Sequence, residues 1–439
     1  MDIKDLILTP FYLIFFTLMG YMIRPYVTNK TTRKFFIPAL WVRFIGAIAL
    51  GLIYQFYYGG GDTFGYFEHG SRWIWEAFNE DVVLGVKLLL DSGGNRSFDE
   101  TYSFSSKIWY YRDTHSYVVV RIVAFFDLFT FHTYSASALF FAVFSFSGLW
   151  AMYSALNDRY SGVKYLHVAI LFIPSVVFWG SGILKDTITL GALGWITWSL
   201  LNLIFLKKRW LLSLIVMVLM AILILRIKSY ILLCYAPVIF VLIYLKYVKQ
   251  VRNMVLKVLL TPVLFAVIGG MGFLAVNFAS TDEYNIDNIA KKAAVTAYDI
   301  RYGWGARSGG DGGYDIGLPD GTWQSMVKLM PAAINVSLFR PYIWEVRNPL
   351  MLLSAIESTI ILFLAIRVFR KRKWKQKLKD PFLVFCLGFT LLFAFAVGVS
   401  TFNFGTLMRY KIPMMPFLSL LLLDYYKTNV QKISSNYIV

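Results

Sequence analysis

The chain has 439 residues, of which 58% are hydrophobic, 18% aromatic and 15% charged, where a soluble domain carries about 25% charged residues. That balance excludes an ordinary soluble globular fold. The formal net charge is +18, but the basic residues cluster between apolar runs, as in Lys207-Lys208-Arg209 and from Arg367 to Lys379; this is the pattern of membrane topology and excludes a nucleic-acid surface.

The first apolar run, Leu6–Met22, follows Asp2, Lys4 and Asp5. Without a basic leader or a small-residue cleavage site it reads as a retained span. Runs such as Ala138–Ala155, Ile188–Leu206 and Phe382–Val399 are long enough to cross a hydrocarbon core of roughly 30 Å as helices. Lipid satisfies no backbone polar group, so helix is expected, and the period-2 alternation of an outer-membrane barrel is missing. The expectation is an all-α polytopic bundle of about eleven transmembrane helices, forming a single transmembrane domain over 1–439.

Placing the basic loops in the cytoplasm gives the order. Span one runs inward to Arg24, Lys30, Arg33 and Lys34, and span two, about Ile37–Tyr57, returns. A first outer loop, 58–133, carries interfacial helices. Within it Tyr117–Phe131 is apolar but short and holds Arg121 and Asp127, so it reads as a helix lying along the interface. Tyr134–Leu156, Tyr165–Trp179 and Leu184–Leu206 are spans three to five. Spans six and seven flank an outer turn at Arg226 and Lys228, and Lys246–Lys257 is inner. Span eight leads to a second outer loop, 279–347. Span nine descends to the basic cytoplasmic loop 367–380, and spans ten and eleven bracket an outer turn at Ser400–Lys411. The expected location is the inner (plasma) membrane, multi-pass, with the N-terminus outside and the C-terminus cytoplasmic. Cys234 and Cys386 fall inside spans and imply neither a disulfide framework nor a metal motif.

Chemistry concentrates at the outer rim. Gly59-Gly60-Gly61-Asp62 allows a sharp turn at the membrane surface. Asp62 then caps a helix or serves as a general base towards an acceptor hydroxyl, and the two roles are compatible. Glu68 and His69, within two helical turns, are secondary acceptor-side candidates beside a plain solvation role. In Pro174-Ser175-Val176-Val177-Phe178-Trp179-Gly180-Ser181-Gly182-Ile183-Leu184-Lys185-Asp186, proline and the Gly-Ser-Gly break form a hairpin. Lys185 then stands in the first turn of span five, where helix N–H groups favour an anion; the alternative is a snorkelling lysine beside a capping Asp186. Arg226 and Lys228, and Arg409 and Lys411, stand against the positive-inside rule in short outer turns, and a phosphate or pyrophosphate would account for them. Arg340, next to Pro341 and aromatics, is an interfacial anchor or another phosphate ligand. Glu357 lies within a span, as a functional carboxylate or a helix-to-helix bond. Gly303–Gly321 reads as a flexible Gly/Asp loop without the EF-hand spacing.

Together, Asp62 in the first long outer loop, the Pro-Ser-x-x-Phe-Trp-x-Ser-Gly-x-x-Lys-Asp hairpin at 174–186, and Gly405-Thr406-Leu407-Met408-Arg409-Tyr410-Lys411-Ile412-Pro413 resemble the GT-C superfamily of membrane glycosyltransferases. That resemblance implies an inverting transfer of a sugar from a polyprenyl-phosphate donor to a glycan, lipid or protein acceptor on the periplasmic side. Asp62 would be the catalytic base, and Lys185 and Arg409 would hold the lipid phosphate, joined by Arg226, Lys228, Arg340 and Lys411. The first outer loop follows the second span, where many members place it after the first. Asp-x-Asp is missing, so no metal ligand is assigned and a divalent cofactor is doubtful. Gly61–Tyr66 also resembles Wzy/EpsG-like polymerases acting on polyprenyl-diphosphate oligosaccharides, and a lipid or glycan transporter is the rival of another class. Membrane lipids are expected partners, nucleic acid is not.

Overall fold

The computed structural model describes residues 3–95, 99–248, 286–304, 313–371 and 374–424, with 251, 253, 258, 259 and 262 besides. The expected eighth span and the start of the second outer loop lie mostly outside the described residues, as do 305–312 of the Gly/Asp stretch. The described residues are mostly helical, with a single isolated bridge between Gly313 and Asn403 and no strand. Among the described residues seven helices are long and apolar enough to cross a membrane: Ile3–Val27, Arg33–Tyr57, Tyr134–Arg159, Lys185–Leu206, Trp210–Lys228, Pro349–Arg370 and Pro381–Thr401. The chain is a multi-pass helical membrane protein.

Its contacts divide it into two compact units, one reaching to Lys228 and the other spanning Ser229–Asp424. In the first, α1 (Ile3–Val27) and α2 (Arg33–Leu52) are followed by α3 (Asp62–Tyr66), α4 (Arg72–Glu80), α5 (Val82–Leu90), α6 (Tyr102–Ser105) and α7 (Thr114–Thr130). Next come α8 (Tyr134–Arg159), α9 (Leu166–Leu171), α10 (Pro174–Trp179), α11 (Lys185–Leu201) and α12 (Trp210–Lys228). Helix α8 is the centre of this unit, packing against α11, α2 and α1. The α8–α11 contact is backbone to backbone: a Cβ on Gly148 would lie 1.9 Å from the Gly191 carbonyl oxygen. Small residues permit such approach where lipid gives helices no hydrophobic reason to associate.

The stretch 165–179, expected as one span, is two six-residue helices, α9 and α10. Pro174 is the cause. It offers no N–H to the preceding turn and drives the residue before it out of helical space, and Ile173 is extended at φ −71°, ψ 123°. Arg43 of α2, 1% exposed, reaches the far end of α10, where its Nη1 donates to the carbonyls of Val176 (2.7 Å) and Gly180 (3.1 Å). A guanidinium here supplies the donors that the last helical carbonyls lack.

The second unit contains α13 (Tyr230–Lys246), α14 (Ile286–Tyr298), α15 (Trp323–Phe339), α16 (Pro349–Arg370), α17 (Trp374–Lys377), α18 (Pro381–Thr401), α19 (Phe404–Tyr410) and α20 (Met415–Leu422). Its hub is α18, packed against α13, α14, α15 and α20. Tyr235 of α13 meets Phe385 and Phe389 of α18 edge-on, each with ring centroids 5.0 Å apart, a favoured aromatic geometry. The expected eleventh span holds the eight-residue α20.

Candidate functional site

Asp62 stands at the first helical position of α3, and Gly61 occupies the cap. Gly61 takes φ 122°, a conformation that only glycine adopts without strain, so the glycine run fixes where Asp62 emerges. The turn is seated on α2 and on the start of α11: Leu50, Tyr54 and Leu184 form a buried cluster against which Phe64, Phe178 and Trp179 pack. Leu184 directly precedes Lys185. Apolar packing thus brings the Asp62 turn and the Lys185 end of α11 to one place, two segments well over a hundred residues apart in sequence. Thr63 adds a hydroxyl–hydroxyl bond of 2.6 Å to Tyr134, the first residue of α8.

Lys185 is the first residue of α11, and its side chain is 16% exposed. Its ammonium lies 3.5 Å from a carboxylate oxygen of Asp113. Asp113 is the N-cap of α7 and accepts from the backbone N–H of His115 and Ser116. Burial raises the Asp113 carboxyl, but Lys185 and the Ser116 hydroxyl outweigh it and hold the group below its ordinary value. His115 in turn meets the Arg226 carbonyl through Nδ1 at 2.8 Å, which leaves the Arg226 side chain exposed at the end of α12.

Asp186 and Lys228 belong to the same neighbourhood but are enclosed. Their side chains are 1% and 7% exposed and lie 2.6 Å apart. A lysine in a short connection contrary to the charge rule is accounted for by this buried carboxylate. Asp186 neither caps α11, whose cap is Leu184, nor faces water. Neither Asp113 nor the Lys228 pairing was legible in the sequence, because both depend on α7, α11 and α12 meeting.

The remaining cations gather in the second unit. Arg340 donates through Nε to both Glu345 oxygens at 3.0 Å and through Nη2 to one of them. Burial raises the Glu345 carboxyl, yet the Arg340 bonds and the Tyr342 N–H hold it below its usual range. The Arg340 guanidinium also lies 5.3 Å from the Phe404 ring centroid at the start of α19. Its backbone carbonyl accepts from Ser358 at 3.1 Å, and Ser358 in turn meets the Lys411 ammonium at 3.3 Å. Lys411 is fully buried. Desolvation pushes its ammonium down to about 8, with the Glu357 carboxylate opposing. Arg409 is 8% exposed, with its guanidinium near the Tyr410 ring.

The chain matches no family model, no curated protein and no solved structure. Among the described residues no three His, Cys, Asp or Glu side chains converge where a metal ion would sit. The two secondary candidates separate. His69 stacks on Trp109 with ring centroids 3.7 Å apart, whereas Glu68 lines a cavity of about 540 Å³ together with Arg72, Trp75, Glu76 and His132.

Proposed function

We propose that this is a membrane glycosyltransferase that moves a sugar from a polyprenyl-phosphate donor to a hydroxyl acceptor at the non-cytoplasmic surface. The observation that carries the reading is the shared apolar seat of the Asp62 turn and the Lys185 end of α11. It groups a partly exposed carboxylate with an ammonium and a helix N-terminus, the pair that departure of a phosphate from an anomeric carbon requires. The N–H groups of α11 and Lys185 stabilise the leaving phosphate, with the exposed Arg226 as second cation. Asp62 takes the proton of the acceptor hydroxyl as the new glycosidic bond forms. Lys228 and Arg340 are paired closely with the enclosed carboxylates Asp186 and Glu345 and Lys411 is fully buried, whereas the partner of Lys185, Asp113, is half exposed at 3.5 Å and Arg226 is exposed, so Lys185 and Arg226 are assigned the phosphate and the other three support the fold. With about eleven crossings, loops 58–133 and 279–347 lie outside, the loop 367–380 is cytoplasmic, and the plasma membrane is the site of action.

The test is transfer of radiolabel from a pool of polyprenyl-phosphate sugars to extracted glycans, comparing wild type with Lys185→Met. The expected result is a donor KM raised at least tenfold in the variant. Transfer only from diphosphate-linked oligosaccharides would replace this reading with a polymerase.

A transporter is favoured by one separate observation: the segment 165–179 is broken at Ile173 and the buried Arg43 sits against its second half, as in proteins that bind substrates at interrupted helices. Flux of a lipid-linked sugar across vesicles without any transfer product would select that reading.

A further inference from the structure

The cavity of about 540 Å³ in the first unit falls within the roughly 300–1,000 Å³ of small-molecule sites. Its lining chemistry is specific. Asp127 on α7 is fully buried and accepts from Ser71 Oγ (2.6 Å), Ser137 Oγ (2.9 Å) and His132 Nδ1 (2.9 Å). His132 lines the cavity with its ring stacked on Phe67 at 4.0 Å. That bond and the Phe67 stack hold the His132 ring in the cavity wall, with its Nε2 enclosed.

The other walls narrow the class. Asp5, Glu68 and Glu76 oppose Lys4 and Arg72, so the carboxylates outnumber the cations, and Arg72 is already bonded to Glu76 at 2.9 Å. That balance disfavours a phosphate and favours a ligand rich in hydroxyl donors. Trp75 presents a ring with no aromatic or cationic contact among the described residues, an apolar plate for one face of a pyranose. Asn79 adds a donor and an acceptor.

We propose that this cavity binds one neutral sugar unit, stacked on Trp75 and held through its hydroxyls by Glu68, Glu76 and Asn79. Phe67 and Glu68 directly follow α3, and the cavity's Tyr134 is bonded to Thr63, so the bound sugar lies beside the Asp62 turn. Calling it the acceptor sugar rests on the transferase reading; the binding itself does not.

Saturation-transfer NMR on the purified full chain tests it, with maltose, lactose and chitobiose as neutral probes and glucose 1-phosphate as the anionic one. The expected result is saturation of at least one neutral disaccharide, weakened at least tenfold in affinity by Trp75→Leu and by Asn79→Leu, with glucose 1-phosphate silent. Asn79→Leu removes a donor and an acceptor at an exposed position of the lining, and Trp75→Leu removes the stacking plate from the half-buried wall. No saturation by any neutral probe, binding untouched by Trp75→Leu, or stronger binding of glucose 1-phosphate would each overturn the proposal. Sugar binding in a chain that performs no transfer would remove the transferase reading and leave the cavity standing.

Discussion

The Asp186–Lys228 pair sets a sharp energetic expectation. Both side chains are almost fully enclosed, at 1% and 7% exposure, with N and O 2.6 Å apart. Removing one partner leaves an uncompensated buried charge, which costs about 3–5 kcal/mol, whereas replacing both by apolar groups of similar shape is often neutral or stabilising. Lys228→Met and Asp186→Leu should therefore each destabilise the first unit by ~3–5 kcal/mol, a shift of roughly two to three and a half powers of ten in the folding equilibrium. The double variant should return to within about 1 kcal/mol of wild type, so the coupling is several kcal/mol. Titration of the purified protein with SDS in mixed micelles, followed by tryptophan fluorescence, reads this directly, because Trp195 and Trp198 lie on the same helix as Asp186. Singles that each cost under about 1 kcal/mol, as for an exposed pair, or a double that costs the sum of the singles, would refute a buried, mutually dependent pair.

Three further perturbations follow. Gly148→Ala drives a Cβ into the Gly191 carbonyl oxygen of α11 at 1.9 Å; backbone cannot yield, so a loss of about 3 kcal/mol or no monodisperse protein is expected by size exclusion. Arg43→Met strips the donors from the Val176 and Gly180 carbonyls, and loses about 3 kcal/mol in the same SDS titration. Lys411 gives a pH signature. Its folded-state value near 8 lies below the ordinary 10.5, so between those values the unfolded chain holds a proton that the folded chain does not. Stability of Ser229–Asp424 should rise with pH across that window. Lys411→Met should abolish the rise, read by dye labelling of the buried thiols Cys234 and Cys386.

The sequence displayed seven of the expected spans because continuous apolar length is a local property: Leu6–Met22 lies within α1, and Leu184–Leu206 lies within one residue of the helix Lys185–Leu206. The break at Ile173 was also locally encoded, in Pro174, although a mean over the window 165–179 hides it. The candidate site was legible only in part. Lys185 and Asp62 could be singled out by position, at a helix start and after three glycines. Their joint seat on Leu50, Tyr54 and Leu184 is a tertiary fact that no spacing encodes. The partners of the cations were hidden for the same reason: Asp113 is 72 residues from Lys185 and Asp186 is 42 from Lys228. Asp127 was noticed for interrupting an apolar helix, but its meaning came from Ser71, His132 and Ser137 converging on it.

The most direct test of the central claim compares purified wild type with Asp62→Asn for transfer of labelled sugar from polyprenyl phosphate to a glycan acceptor. The substitution keeps the shape of the side chain at the first position of α3 and removes its capacity to take a proton. Transfer by wild type, with a loss of at least a hundredfold in the folded variant, is the predicted result. Equal turnover by the two would contradict it and remove Asp62 from the mechanism.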